Sequence, residues 1–167
     1  MTRVAVVGGG ALGVTAARDL AARGADTVLY ERGELGSGAS GRAAGIAYDA
    51  FAEDTDAAVA ARAVERFRSL AETGAIDFVE HPYVWFARAG DEHRAEAVRE
   101  SAERMRANGR DVVTLSPDAL ADRVPALAGV DVSVAALARD AGYLDPASYV
   151  TAMGRRAESA GATLETG

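Results

Sequence analysis

Cysteine and lysine are both missing from this chain of 167 residues. Without cysteine there is no disulfide, no thiolate metal site and no cysteinyl attachment of a cofactor in this segment. Histidine is nearly as scarce: His81 and His93 are the only two, neither has a partner at ligand spacing, and a metal centre has no support. His81 precedes a proline and reads as a lead into the strand that follows. No Ser, His and Asp arrangement with nucleophile-elbow chemistry is visible. No apolar run approaches the ~20 residues of a membrane-spanning helix, and the N-terminus enters a strand pattern at once with no signal-peptide pattern. A soluble cytoplasmic protein is therefore expected. Internal repeats and low-complexity linkers are also absent.

All eighteen basic residues are arginine, against 25 acidic ones, for a net charge of −7. The arginines are scattered and form no stripe, so neither nucleic acid nor anionic lipid is an expected partner. The arginine-only usage reads as a GC-rich coding bias, with or without adaptation to high salt, and carries no chemistry. Apolar residues make up 49% and glycines number 18, which suits close-packed α/β layers and argues against disorder. The length suffices for one core or slightly more and is short for a two-domain enzyme.

What is present starts at the N-terminus. Residues 4–13 read VAVVGGGALG, an apolar run that stops in Gly8, Gly10 and Gly13. In this spacing Gly8 lets the chain turn sharply out of a strand, Gly10 lets backbone approach a pyrophosphate, and Gly13 lets the next helix lie against the sheet. The helix N-terminus then faces the phosphates, where free N–H groups and the helix dipole favour negative charge. A strand pattern (Val4, Ala5, Val6, Val7) precedes the glycines, and an amphipathic helix (Leu12, Ala16, Leu20, ending at Gly24) follows. A second strand, Thr27 to Tyr30, ends at Glu31, where a carboxylate can accept both ribose hydroxyls of an adenosine and repel a 2′-phosphate. The plainer alternative is a glycine-rich βαβ turn without a ligand.

The stretch RGELGSGASGRAAGIAY after Glu31 is too glycine-rich for a stable helix and too weakly apolar for a buried strand. Ser40 is expected to cap a short helical turn at Gly41 to Gly45, turning a second set of N–H groups toward an anion; a flexible surface loop is the alternative. A helix from Asp54, with Val59, Ala63, Phe67 and Leu70 as its apolar face, ends at Gly74. Tyr83, Val84, Trp85 and Phe86 read as an aromatic strand of a second sheet, either core or the lining of a substrate pocket. Asp91 to Asn108 is a charged helix with the thin stripe Ala95, Val98, Ala102 and Met105. Asp111 to Leu115 is a strand, Ser116 and Pro117 open a brief helix toward Val124 and Pro125, and Val132 to Arg139 alternates as another strand. Asp145 and Pro146 start a last helix with Val150, Met153, Ala157 and Ala160 inward and Gly161 as its stop, followed by a strand at Ala162 to Thr166.

Four segments in this order, VAVVGGGALG, YERGELGSGASGRAAGI, TLSPDALADRVPAL and AGYLDPASYVTAMGRRAESAGATLETG, resemble the N-terminal part of the FAD-dependent oxidoreductases of the D-amino acid oxidase superfamily, which includes glycine oxidase and sarcosine oxidase. The resemblance implies an α/β chain with a Rossmann-like FAD-binding βαβ unit and part of a second, substrate-domain β-sheet, incomplete relative to the family. In segments, 1–76 would be FAD-binding, 77–140 a partial substrate domain, and 141–167 a truncated return to the FAD-binding domain.

By position, the resemblance implies that Gly8, Gly10, Ala11, Leu12 and Gly13 hold the pyrophosphate, and Glu31 the adenosine ribose with Arg32 beside it. Ala39, Ser40, Arg42 and Ala43 would line the phosphates and ribityl chain, and Ala44, Gly45 and Ile46 would bring backbone groups to the flavin ring. In that family the flavin N5 takes a hydride from the carbon next to a substrate amine, giving an imine that water hydrolyses; the protein supplies placement and electrostatics, and no catalytic acid or base is assigned. Some members tether the flavin through a histidine where this chain has Arg42, so a dissociable FAD is expected. Arg42 would pair with a phosphate or a substrate carboxylate, or face solvent. Tyr48 and Trp85 are the substrate-side candidates, with ordinary packing as the alternative. Family members are more than twice as long. The resemblance thus supports an amine or amino acid oxidoreductase fragment, with three alternatives open: a non-catalytic flavin-binding remnant, a subunit needing a partner chain for the missing half, or an NAD-dependent dehydrogenase.

Overall fold

The structure, a computed structural model, describes residues 2–167. The chain order opens with β1 (Arg3–Val7), α1 (Ala11–Ala21), β2 (Asp26–Glu31), β3 (Ile46–Tyr48) and α2 (Asp54–Glu72). It continues through β4 (Phe78–Glu80), β5 (Tyr83–Arg88), α3 (Glu92–Ala107), β6 (Val112–Leu115) and α4 (Pro117–Arg123). It closes with β7 (Val132–Ala138), β8 (Ala141–Leu144), α5 (Pro146–Ser159) and β9 (Thr163–Thr166). Two units are distinguished: unit 1 holds residues up to Ile46 with Leu70–Phe78 and Leu144–Gly167, and unit 2 holds Ala47–Ser69 and Val79–Tyr143.

Unit 1 is built on a parallel sheet of order β1-β2-β9. Its register pairs Val7 with Tyr30 and Glu31 with Thr166, so the ends of the first two strands and the last one meet. Parallel strands require crossover connections, and α1 and α5 supply them. Those two helices pack on each other, with the Thr15 and Tyr149 hydroxyls 2.7 Å apart. The buried stripe of α1 is Val14, Ala17 and Ala21, not the expected Leu12, Ala16 and Leu20, and Leu12 is 89% exposed. Leu12 lies in the first turn, outside the stripe that the fold buries. Helix α5 starts as expected: Asp145 accepts the amides of Ala147 and Ser148 at 3.2 and 3.0 Å, and Val150, Met153 and Ala157 are buried. Ala160, expected to point inward, is the half-buried C-cap. Fully burying Leu29 of β2 contributes about 2 kcal/mol to this core.

Unit 2 carries an antiparallel sheet of order β5-β7-β6. Central β7 is buried on both faces: Val134, Ala136 and Ala138 lie with Ala95, Val98 and Ala102 of α3, and Ala135 and Leu137 lie with Leu120 of α4. A register shift at Ala87 and Arg88 perturbs this alternation at the start of β7. Asp91 caps α3 by accepting the Arg94 amide at 2.9 Å, and Ser116 caps α4 by accepting that of Ala119 at 3.3 Å. On α2 the buried positions are Ala57, Val64 and Leu70, while Val59, expected on the apolar face, is 64% exposed. A second three-stranded sheet, order β3-β8-β4, falls mostly in unit 2. Its strands run three or four residues, IAY, FVE and AGYL, too few for a clear alternation, and no strand is expected at any of them.

Among the described residues no helix is long and apolar enough to cross a membrane. No group of three or more His, Asp or Glu residues that could hold a metal occurs among them either.

Candidate functional site

The loop between β1 and α1 carries the first cluster of site residues, all in unit 1. Gly8 leaves β1 at φ 103° and its amide bonds the Tyr30 carbonyl at 2.8 Å, tying the turn to the end of β2. A Cβ on Gly13 would meet the Gly8 carbonyl oxygen at 1.8 Å, so the first turn of α1 closes on the strand end only because residue 13 has no side chain. Helix α1 begins at Ala11 with Gly10 as an N-cap that contributes no side-chain bond. The Val14 amide bonds the Gly10 carbonyl at 3.0 Å, and the Ala11 amide donates to Ser40 Oγ at 2.9 Å. The amides of Leu12 and Gly13 have no acceptor among the described residues. A helix N-terminus with open N–H groups favours an anion.

Glu31 ends β2 beside this loop. Its Oε2 accepts the Gly9 amide at 2.6 Å and its Oε1 the Gly33 amide at 3.0 Å. These bonds hold its carboxyl below the ordinary glutamate range, Gly9 contributing most. Each carboxylate oxygen keeps a second lone pair for a further donor. Arg32 beside it is exposed. Gly9 is a member of the site that the spacing rule skips: a Cβ there would lie 2.5 Å from Leu35 and 2.9 Å from Glu31 Cβ. Leu35 also lines a cleft of about 350 Å³ with Glu34, Gly154, Arg155, Leu164 and Thr166. No single segment signals that cleft, because three separate stretches build it.

The glycine-rich tract after Glu31 differs from expectation in detail. Its helical turn is a 3-10 turn over Ser40–Arg42 whose N-cap is Ala39, with no side-chain cap. Ser40 spends its hydroxyl on Ala11 of α1, 29 residues away in sequence. The amides of Gly41, Arg42 and Ala43 bond the carbonyls of Gly36, Ala39 and Ser40, so they do not form the expected second set of free donors. The amides of Ala44 and Gly45, by contrast, have no acceptor among the described residues. Gly45 has φ 72° and approaches Leu144 so closely that a Cβ would lie 1.9 Å from its carbonyl oxygen, while the Leu144 amide bonds the Gly45 carbonyl at 3.0 Å. Ala39, Arg42, Ala43, Ala44 and Ile46 are exposed, and Arg42 reaches only the Ser37 carbonyl, at 3.4 Å.

Tyr48 and Trp85 lie in unit 2, on β3 and β5. Both are half-buried and pack against the core under α3. Their rings stand in one ladder: Tyr48 stacks on Phe51 at 5.1 Å and on Tyr83 at 4.7 Å, and Tyr83 on Trp85 at 6.2 Å between centroids. The segment between Tyr48 and α2 is fixed by Asp49, which accepts Arg110 at 2.8 Å, and by Asn108, whose amide donates to the Ala52 carbonyl at 2.9 Å.

Solved structures with this architecture are numerous. L-proline dehydrogenase from P. horikoshii superposes with a TM-score of 0.88 at 26% identity, over 99% of this chain and 44% of that one. Glycine oxidase from Geobacillus kaustophilus gives 0.84 at 26%, over 99% and 47%, and glycine oxidase from Bacillus cereus ATCC 14579 gives 0.82 at 24%, over 99% and 46%. The chain thus spans less than half the length of these proteins. No curated protein sequence matches it. The family model of FAD dependent oxidoreductases matches residues 3–167, a span that holds the α1 N-terminus, Glu31 and the glycine-rich tract alike, and the chain belongs to that FAD-binding family.

Proposed function

We propose that unit 1 binds FAD without a covalent link and that the chain is the cofactor-binding portion of an oxidoreductase acting on an amino acid or a secondary amine. The open amides of Leu12 and Gly13 at the α1 N-terminus are the observation that carries this reading, because they suit the pyrophosphate. Glu31, already oriented by Gly9 and Gly33, has lone pairs free for the adenosine ribose. Gly8, Gly10 and Ala11 would complete the pyrophosphate site, and Arg32, Ala39, Ser40, Arg42 and Ala43 would flank the cofactor. The amides of Ala44 and Gly45, followed by Ile46, would face its ring. Arg42 replaces the histidine that would tether a flavin, and the chain has no cysteine to do so. When bound, FAD supplies the two-electron oxidation; this chain's residues hold and orient it. An amino acid substrate is supported by the names of the similar proteins, a proline dehydrogenase and glycine oxidases. Tyr48 and Trp85 are proposed as substrate-side residues.

The direct test is a visible spectrum of the purified chain before and after incubation with FAD and gel filtration. Retained flavin absorbance, released into the supernatant on acid precipitation, is expected. A colourless protein that takes up no FAD would overturn the proposal.

One observation favours a further reading in which turnover needs additional polypeptide. Val7 and Leu12 are 87% and 89% exposed where β1 gives way to α1. Two such side chains in one place form an apolar spot of the kind that contact surfaces use. Amine-dependent reduction of FAD by this chain alone would refute it.

A further inference from the structure

We infer that the cleft on unit 2 beside α3 binds an amino acid whose side chain is aromatic. This rests on the reading of Tyr48 and Trp85 as substrate-side residues and does not depend on FAD binding. The cleft holds about 380 Å³, room for a single-ring amino acid, and Tyr48, Phe51, Tyr83 and Trp85 form one wall. Those four rings are the ladder described above, with interplanar angles of 13°, 4° and 29° from Phe51 to Trp85. The inner ring faces are taken by one another, so the array meets a planar ring at its edges and at the end faces of Phe51 and Trp85, contacts that an aliphatic chain cannot reproduce.

Helix α3 also lines the cleft and brings positive charge to it. Arg94 and Arg104 both line the cleft, both are exposed, and neither side chain has a hydrogen-bond or ion-pair partner among the described residues. What sets Arg94 and Arg104 apart is their place: two guanidinium groups without a carboxylate partner line the same cleft as four aromatic rings, and a guanidinium pair complements a carboxylate. Glu53, also at the cleft, is an acceptor for an ammonium group. Ring, carboxylate and ammonium together are the three functions of an aromatic amino acid.

Trp85 is the only tryptophan, so its emission reports on this cleft alone. The probe is 3-phenylpropionate, which keeps ring and carboxylate, titrated into the FAD-free chain by fluorescence and calorimetry. Hexanoate, without the ring, and 3-phenylpropionamide, without the charge, are the controls. Saturable binding at least tenfold tighter than either control is expected, and the double variant Arg94→Gln, Arg104→Gln should bring the acid down to the level of the amide. Both arginines are exposed, and an unchanged far-UV circular dichroism spectrum verifies the fold. No saturable change in Trp85 emission, equal affinity for acid and amide, or undiminished binding by the double variant would each overturn the assignment. FAD uptake with no probe binding sinks this inference alone; probe binding with no FAD uptake sinks the cofactor reading alone.

Discussion

Glu31 binds Gly9 across 22 residues of sequence: one carboxylate oxygen accepts the Gly9 amide at 2.6 Å while the other takes that of Gly33 at 3.0 Å. The acid at the end of β2 therefore organises the glycine loop before any ribose arrives. Because these bonds favour the ionised carboxylate, its folded pKa lies below the ordinary value of 4.5. The stability it contributes is fully present above that ordinary value and is lost as pH falls through the lowered one. Glu31→Gln should destabilise the chain at neutral pH, with a deficit that is constant above about pH 6 and shrinks below 4.5, read by urea unfolding across pH. The same substitution should weaken FAD binding about tenfold, the scale of one charge-assisted hydrogen bond.

At Gly13 the constraint is steric. A methyl group there would sit 1.8 Å from a backbone oxygen of Gly8, and backbone cannot rotate aside as a side chain can. Gly13→Ala should cost about 1–3 kcal/mol and open the first turn of α1, lowering FAD affinity far more than Glu31→Gln does. An unchanged melting temperature in the FAD-free protein would contradict that geometry.

The turn at Gly8 and the close approach at Gly13 are legible in the sequence because each is a local backbone requirement at a fixed offset from the first strand. Leu12 departs from expectation: a periodicity reading favours large apolar side chains, whereas the fold buries Val14, Ala17 and Ala21 and leaves Leu12 exposed. Val59 on α2 departs in the same way, being exposed where Ala57 and Val64 are buried. Shortness alone does not hide a strand, since the four-residue β6 and β9 are expected from the sequence; β3 and β8 include Ala or Gly, which lower β propensity in so short a run. Ser40 looked like a local cap, and no pattern in its neighbourhood announces that its oxygen serves Ala11. The aromatic run on β5 is visible in the sequence, but its ladder partners Tyr48 and Phe51 come from a separate segment upstream, with only folding to join them.

Burial raises the Asp49 carboxyl above its ordinary value even though Arg110 pulls the other way. Asp49 is the more buried partner, at 8% side-chain exposure against 23%, so stranding its charge is the costlier loss. Arg110→Met should destabilise by about 3 kcal/mol at neutral pH, with the cost falling as Asp49 takes up a proton at lower pH. Asp49→Asn keeps an acceptor for Arg110 and should cost only about 1 kcal/mol. A raised carboxyl binds its proton more tightly folded than unfolded, so its contribution is greatest below the ordinary 3.8 and declines as pH rises through the folded value. The Asn variant lacks this decline, and urea unfolding of both variants from pH 3 to 8 reads it.

Ser40 separates structural from cofactor roles in the glycine-rich tract. Its hydroxyl accepts the Ala11 amide at 2.9 Å, the one side-chain cap that the α1 N-terminus receives among the described residues. Ser40→Ala removes that acceptor and should cost about 1 kcal/mol. Ser40→Thr keeps the oxygen and should restore most of it. If the hydroxyl also serves the phosphates, the Ala variant loses FAD affinity beyond what its lower stability explains, and Thr recovers both. Equal FAD affinity for Ser40→Ala and the parent chain would confine the hydroxyl to holding the tract against α1. The comparison is decisive because thermal unfolding without FAD measures the cap alone, and flavin titration measures cap and cofactor together.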